Sequence, residues 1–208
     1  GGLLQSNIAG CALFAAISGS SVATAAAIGG VSLPRAKEEG YDTAMACGSI
    51  AAGGTLGILI PPSIPLIIYA SFTEISIAKL FAASMVPGIV LTLMFMAYIA
   101  MRVLRSPALA PAGRRPDTLR AYLVGCIEIM PLLILIGFVL GTIYLGIATP
   151  TESAAVGSLA SIVVAAVLGR PPLRVYYEAT IFAVKVSAAL LFITFSAYIF
   201  AYAVETTG

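Results

Sequence analysis

The fold of this chain is decided by one interrupted stretch, Gly53-Gly54-Thr55-Leu56-Gly57-Ile58-Leu59-Ile60-Pro61-Pro62-Ser63-Ile64-Pro65. The stretch lies within 43–73, a run that contains no charged side chain. Each proline lacks the N–H that would bind the carbonyl four residues earlier, and its ring clashes with that carbonyl. The prolines are therefore predicted to free the carbonyls of Gly57, Ile58 and Pro61 near the middle of the run.

Two structures fit this break. One is a kinked helix whose carbonyls are bound by water or by hydroxyl groups. The other is a broken helix whose carbonyls bind a cation, as in membrane transporters. Three prolines and three glycines within the stretch exceed what a kink needs, so we favour the broken helix.

Composition places the chain in a membrane. Of 208 residues, 60% are apolar and only 10% are charged, whereas a soluble domain is about 25% charged. The absence of histidine excludes Ser–His nucleophiles and His-based metal sites, and a net charge of +2 does not suggest binding to nucleic acid. We expect an integral membrane protein without enzymatic activity.

The charged residues divide the chain into apolar runs, and a spanning helix needs roughly 20 residues. Runs 80–101, 129–151 and 186–204 fit one crossing each, 153–169 is short, and 1–34 and 43–73 are too long for one helix. Nine of the eleven basic residues fall in the loops 35–42, 102–120 and 170–174. By the positive-inside rule these loops are predicted to be cytoplasmic.

The middle of the first run is rich in hydroxyl groups: Ile17-Ser18-Gly19-Ser20-Ser21-Val22-Ala23-Thr24. A turn there would leave two arms of about 24 Å at 1.5 Å per residue, shorter than a hydrocarbon core of about 30 Å. That would be a re-entrant hairpin. A single spanning helix over 12–33 is the alternative, and the sequence leaves both open.

Hydroxyls at 18–24 and freed carbonyls at 57–61 are neutral oxygen donors. Such a set suits Na⁺ better than Ca²⁺ or Mg²⁺, which require carboxylates. Half-helix N-termini at the same depth would favour an anionic substrate. The residues thus suggest a Na⁺-coupled carrier of anions. Glu152, in Thr149-Pro150-Thr151-Glu152, is predicted to form a capping box, with ion coupling as the alternative.

Several motifs follow one another along the chain: Gly1-Gly2-Leu3-Leu4-Gln5-Ser6-Asn7, the Gly19–Gly29 segment, Gly40-Tyr41-Asp42, the Gly57–Pro65 segment, Leu80-Phe81 with Pro87-Gly88, and Gly146–Glu152 with Ala154-Ala155-Val156. Together they resemble the large membrane subunit of TRAP (tripartite ATP-independent periplasmic) transporters. Position 24 is Thr where this family often has Asp. The chain resembles the middle of such a subunit, with the second hairpin and second broken helix lying outside it.

The resemblance implies an all-α membrane protein of the ion-transporter superfamily, of elevator type, with inverted repeats of which the second is incomplete here. It implies multi-pass insertion in the bacterial inner membrane and Na⁺-coupled uptake of an organic anion, such as a C4-dicarboxylate or sialic acid. The implied partners are a small membrane subunit and a periplasmic substrate-binding protein.

The resemblance also implies a Na⁺ site between the hairpin tip and the break. Its expected residues are Ser18, Gly19, Ser20, Ser21, Gly57, Ile60 and Pro61, and the expected substrate contacts are Ser20, Thr24 and Ser63.

The expected domain organisation has three parts. Residues 1–73 form the transport part of the first repeat, with the hairpin at 1–34 and the broken helix at 43–73. Residues 74–120 form an arm helix and a cytoplasmic linker. Residues 121–208 begin the second repeat, with helices at about 121–146, 150–169 and 174–205.

Three other functions compete with this one. A single-component divalent-anion/Na⁺ symporter of the same superfamily would transport without a binding protein. A membrane scaffold would show no ion dependence at the break. An intramembrane serine hydrolase would need Lys185 as the base for Ser20, and these residues are separated by most of the chain.

Overall fold

The computed structural model describes residues 1–111 and 119–207. The α-helices over these residues are α1 (Gly2–Ser18), α2 (Ser21–Glu38), α3 (Thr43–Thr55), α4 (Ile64–Thr73), α5 (Ile77–Arg105), α6 (Leu119–Tyr144), α7 (Pro150–Val164) and α8 (Leu173–Thr207). A π-helical turn, Ala165–Gly169, extends α7. Arg114, Arg115 and the rest of 112–118, within the expected cytoplasmic linker, lie outside the described residues.

Among the described residues, three segments are long and apolar enough to cross a membrane: α5, α7 with its π-helical turn, and α8. Shorter apolar helices include α1, α4 and the end of α6. The membrane protein predicted from composition and the all-α fold implied by the resemblance are confirmed at this level.

Residues Gly1–Gly157 form the first compact unit. Its main core lies among α1, α2, α3 and α5 and contains Leu4, Ile8, Ala15, Leu56 and Ile99. Glycines allow the helix backbones to approach closely: a Cβ on Gly53 would lie 2.8 Å from Cys11 Sγ, and one on Gly54 would lie 2.9 Å from Ala25 Cβ. Small residues are what apolar helices use to pack where lipid offers no hydrophobic driving force.

A second core in the same unit joins α5 and α6 through Phe81, Leu140 and Ile143. The chain then turns into α7 through a capping box, as predicted. Thr149 N and Oγ1 both donate to Glu152 Oε2, at 2.8 and 2.7 Å, and Glu152 N donates to Thr149 Oγ1 at 3.3 Å.

Residues Ser158–Gly208 form the second unit. Its helix α8 has 35 residues, or about 52 Å at 1.5 Å per residue. None of its described residues is buried. Arg174 Nε and Glu178 Oε1 form an ion pair at 2.7 Å one turn apart. By length and composition, α8 is able to cross a membrane.

Candidate ion and substrate site

The hydroxyl-rich segment is the turn between two antiparallel helices. Helix α1 ends at Ser18, and α2 begins at Ser21. Gly19 adopts a left-handed conformation (φ 58°), and its N–H donates to Ala15 O at 3.0 Å. Ser20 is extended and caps α2, because its Oγ accepts from Ala23 N at 3.4 Å. The continuous helix over 12–33 is therefore not formed.

Gly19 also touches the second interrupted segment. Its carbonyl accepts a hydrogen bond from Ile64 N at 3.2 Å. A Cβ at this position would lie 2.8 Å from Pro62 O, so the left-handed backbone and the close approach both require glycine.

The proline-rich segment separates two helices and is not a kink. Helix α3 ends at Thr55, a 3-10 turn covers Leu56–Ile58, and α4 begins at Ile64. Pro65 lies in the first turn of α4, where its missing N–H has no helical partner to lose. The kinked-helix alternative is thus wrong.

The prediction of three freed carbonyls needs one correction. Ser63 Oγ donates to Ile58 O at 2.8 Å, so that carbonyl is bound by a side chain from within the break. Over residues 1–111 and 119–207, the carbonyls of Gly57 and Pro61 accept no hydrogen bond. Gly57, Pro61 and Ser63 are buried.

The hairpin tip rests directly on the break. A Cβ on Gly57 would lie 2.7 Å from both the carbonyl carbon and the oxygen of Ser20, and 2.8 Å from Ser21 N. The backbones of the two segments therefore meet with no side chain between them. Sequence reasoning placed Gly57 at the break but had no signal for this contact.

Part of the hydroxyl set is already bonded within the tip. Thr24 is fully buried. Its Oγ1 donates to Ser20 O at 2.8 Å and lies 2.7 Å from Ser18 Oγ. These bonds hold the first turn of α2 against the end of α1.

The hydroxyls of Ser20 and Ser21 make fewer hydrogen bonds than that of Thr24. Within 1–111 and 119–207, Ser20 Oγ makes a single hydrogen bond, a long one that it accepts from Ala23 N at 3.4 Å. Ser21 Oγ makes no hydrogen bond within the described part of the chain, and Ser20 and Ser21 are both partly exposed. The hydroxyls of Ser20 and Ser21 are therefore free to serve as ligands, together with the carbonyls of Gly57 and Pro61.

The partial charges at the contact between the hairpin tip and the break come from four helix ends. The C-terminal ends of α1 and α3 and the N-terminal ends of α2 and α4 all lie at the contact between Gly19, Ser20, Gly57 and Ile64. Helix C-termini carry partial negative charge and N-termini partial positive charge. The described residues contain no group of three or more His, Cys, Asp or Glu side chains that could hold a metal.

The structure thus brings Ser18, Gly19, Ser20 and Ser21 together with Gly57 and Pro62–Ile64. Ile60 faces α5, where a Cβ on Gly88 would lie 3.1 Å from its Cγ1. Sequence reasoning missed Ile64, whose N–H joins the two segments. The sequence carries no local signal of this role, because the Ile64 amide binds a residue that lies far away in the chain.

The family model for the DctM component of tripartite ATP-independent periplasmic transporters matches residues 1–208. The chain is 40% identical to the C4-dicarboxylate TRAP transporter large permease protein DctM of Pseudomonas aeruginosa, over 99% of this chain and 48% of that protein. It is 40% identical to the protein of the same name from Vibrio cholerae, over 79% of this chain and 36% of that protein.

A third relative is the isethionate TRAP transporter permease protein DctMQ of Oleidesulfovibrio alaskensis, 35% identical over 96% of this chain and 31% of that protein. The chain therefore spans half or less of the length of these relatives. The match of the family model over every residue agrees with the motifs and with the helical membrane fold, and the chain belongs to the DctM family of TRAP transporter large subunits.

Proposed function

We propose that the transporter containing this chain couples Na⁺ entry to uptake of an organic anion across the bacterial inner membrane. In this proposal a periplasmic binding protein delivers the anion, a small membrane subunit accompanies the large one, and the substrate site moves by an elevator mechanism. The observation that carries the proposal is the contact between the tip and the break, formed by Gly19 O with Ile64 N and by Gly57 against Ser20.

The Na⁺ site is proposed at the C-terminal ends of α1 and α3. The hydroxyls of Ser20 and Ser21 and the carbonyls of Gly57 and Pro61 supply neutral oxygens there, and the helix ends supply partial negative charge. A site without carboxylates favours a monovalent cation over Ca²⁺. Ser18, Gly19 and Ile60 would complete or support this ligand set.

The anion is proposed to bind at the N-terminal ends of α2 and α4. Partial positive charge and unpaired N–H groups at helix N-termini bind carboxylates and related groups. At α4 the Ile64 N–H already binds Gly19 O and Pro65 has no N–H, so α4 would contribute mainly its partial charge. Ser20 is the hydroxyl best placed for such a contact. Thr24 and Ser63 are fully buried and donate to backbone carbonyls, so their contribution would be to hold the two helix ends in place.

The names of the relatives support an organic anion as the substrate class. Two are named for C4-dicarboxylates and one for isethionate. Carboxylate and sulfonate groups share a delocalised negative charge and several acceptor oxygens, which are the features that two helix N-termini recognise.

The test is uptake into proteoliposomes that contain the full-length parent protein and its small subunit. Uptake of succinate is measured with an inward Na⁺ gradient and again with K⁺ replacing Na⁺, with and without the binding protein. We expect uptake only when Na⁺ and the binding protein are both present. Na⁺-driven uptake without the binding protein would identify a single-component symporter, and uptake that is equal in K⁺ would refute Na⁺ coupling.

A further inference from the structure

A buried polar cluster lies in the helical core away from the hairpin tip. Ser32 Oγ on α2 donates to Asn7 Oδ1 on α1, and Asn7 Nδ2 donates to Ser49 Oγ on α3 at 2.9 Å. Ser49 Oγ then donates to Ala46 O at 2.8 Å. Asn7, Ser32 and Ser49 are 2%, 7% and 4% exposed. One amide thus bridges both arms of the hairpin and the first half of the broken helix.

We infer that Asn7 is a positioning residue for the candidate ion site. The inference rests on the proposed function, since it assigns Asn7 a role in Na⁺ affinity. Asn7 lies twelve residues before Gly19, and Ser32 lies twelve after Ser20. At 1.5 Å per residue, the cluster is about 18 Å from the tip, so Asn7 does not touch the ion.

The proposed ion ligands come from two separate segments of the chain. Ser20 and Ser21 belong to the hairpin, whereas Gly57 and Pro61 belong to the broken helix. The distance between these oxygens is therefore set by how α1 and α2 lie against α3. At the tip this packing is fixed by backbone contacts, and at the other end the Asn7 amide fixes it.

The direction of the hydrogen bonds makes the cluster specific. The hydroxyl hydrogen of Ser49 goes to Ala46 O, so Ser49 must accept from the Asn7 amide. Ser32 Oγ donates to the carbonyl oxygen of the same amide, Asn7 Oδ1. Leaving one buried partner unpaired in a low-dielectric core is more costly than losing an exposed hydrogen bond. The three helices are thus held in one relative position.

The test compares full-length parent proteins that carry Asn7→Ala or the matched control Ser6→Ala. Ser6 is exposed and bonds only to Gly2 O within α1. Hydrogen exchange at 17–24 and 56–63 is measured in KCl, and the Na⁺ concentration for half-maximal thermal stabilisation is then measured in NaCl. We expect Asn7→Ala to raise the exchange rate at the tip and the break, and the half-maximal Na⁺ concentration, by about three- to tenfold each. Ser6→Ala should change neither quantity.

Two milder variants keep the inference testable if Asn7→Ala does not fold. Ser49→Ala removes the two hydrogen bonds of Ser49 Oγ, one accepted from Asn7 Nδ2 and one donated to Ala46 O. It should shift the exchange rate at the tip and the half-maximal Na⁺ concentration in the same direction as Asn7→Ala. Ser49→Thr keeps the hydroxyl, and Ser49 lines a cavity of about 210 Å³ that leaves room for a methyl group. In this variant the exchange rate and the half-maximal Na⁺ concentration should therefore equal those of the unmodified parent. A cluster that only stabilises the fold would lower the unfolding temperature without changing the half-maximal Na⁺ concentration.

The outcomes separate this inference from the proposed function. If the variants leave the exchange rate at the tip unchanged, the inference is overturned, whatever the half-maximal Na⁺ concentration is. If Na⁺ does not stabilise even the unmodified parent, the proposed function fails, and exchange at the tip in KCl still decides whether Asn7 positions it.

Discussion

Replacing Gly57 with alanine would force the hairpin tip away from the break. The new Cβ would lie 2.7 Å from Ser20 O, and ordinary contact begins near 3.4 Å, so the tip must retreat by about 0.7 Å. The neighbours that must move are backbone atoms of Ser20 and Ser21, which have no rotamer to change. Overpacking of this kind typically costs about 1–3 kcal/mol.

A displacement of 0.7 Å exceeds the roughly 0.5 Å within which a binding constellation must be held. If the strain is expressed as weaker Na⁺ binding, each 1.4 kcal/mol corresponds to a factor of about ten. We therefore expect Gly57→Ala to raise the half-maximal Na⁺ concentration for uptake by at least about fivefold. Uptake is measured in proteoliposomes at saturating binding protein, over a series of Na⁺ concentrations at constant ionic strength.

Gly30→Ala is the matched control. Gly30 is an exposed glycine in α2, and a Cβ there would meet nothing within 4 Å. This substitution favours the helix by up to about 1 kcal/mol and should leave the Na⁺ dependence unchanged. The reasoning is refuted if Gly57→Ala is folded and takes up substrate with the same Na⁺ dependence as the Gly30→Ala protein.

Two further substitutions separate the site from its supports. Ser21→Ala removes a hydroxyl with no partner among the described residues and should raise the half-maximal Na⁺ concentration several-fold in the same uptake assay, whereas Ser6→Ala should not. Thr149→Ala removes the N-cap of α7, where Thr149 Oγ1 lies 2.7 Å from Glu152 Oε2, and should lower the free energy of unfolding by about 1 kcal/mol. Thermal unfolding measures that loss, and a changed Na⁺ dependence in this variant would place Glu152 in ion coupling instead.

The break in the second apolar run could be predicted because it depends on local chemistry. Three prolines cannot continue a helix, and the structure indeed separates α3 from α4 there. The bond from Ser63 Oγ to Ile58 O is of the kind that the kinked-helix alternative proposed, a hydroxyl bound to a freed carbonyl, but the prolines did not indicate which carbonyl would accept it. The capping box at Thr149 was predictable for the same reason as the break, because its partners are three residues apart.

The hairpin could not be decided from the sequence. Hydroxyls and a glycine at 18–24 are compatible with a helix packed on a neighbour as well as with a turn. What distinguishes them is the contact of Gly57 with Ser20, which joins residues far apart in the chain. Asn7 was missed in the same way. In the sequence, Asn7 is a polar amide within a charge-free apolar run. Such a residue is expected to have a buried hydrogen-bond partner, but the sequence does not show which residue that partner is.

The most direct measurement is equilibrium binding of radioactive ²²Na⁺ to the detergent-purified, full-length parent protein, with choline as the replacement cation. We predict saturable Na⁺ binding that is reduced in a Ser21→Ala/Gly57→Ala double variant and unchanged in a Ser6→Ala/Gly30→Ala double variant. Identical binding curves for the two double variants would show that the hairpin tip and the break do not form the ion site.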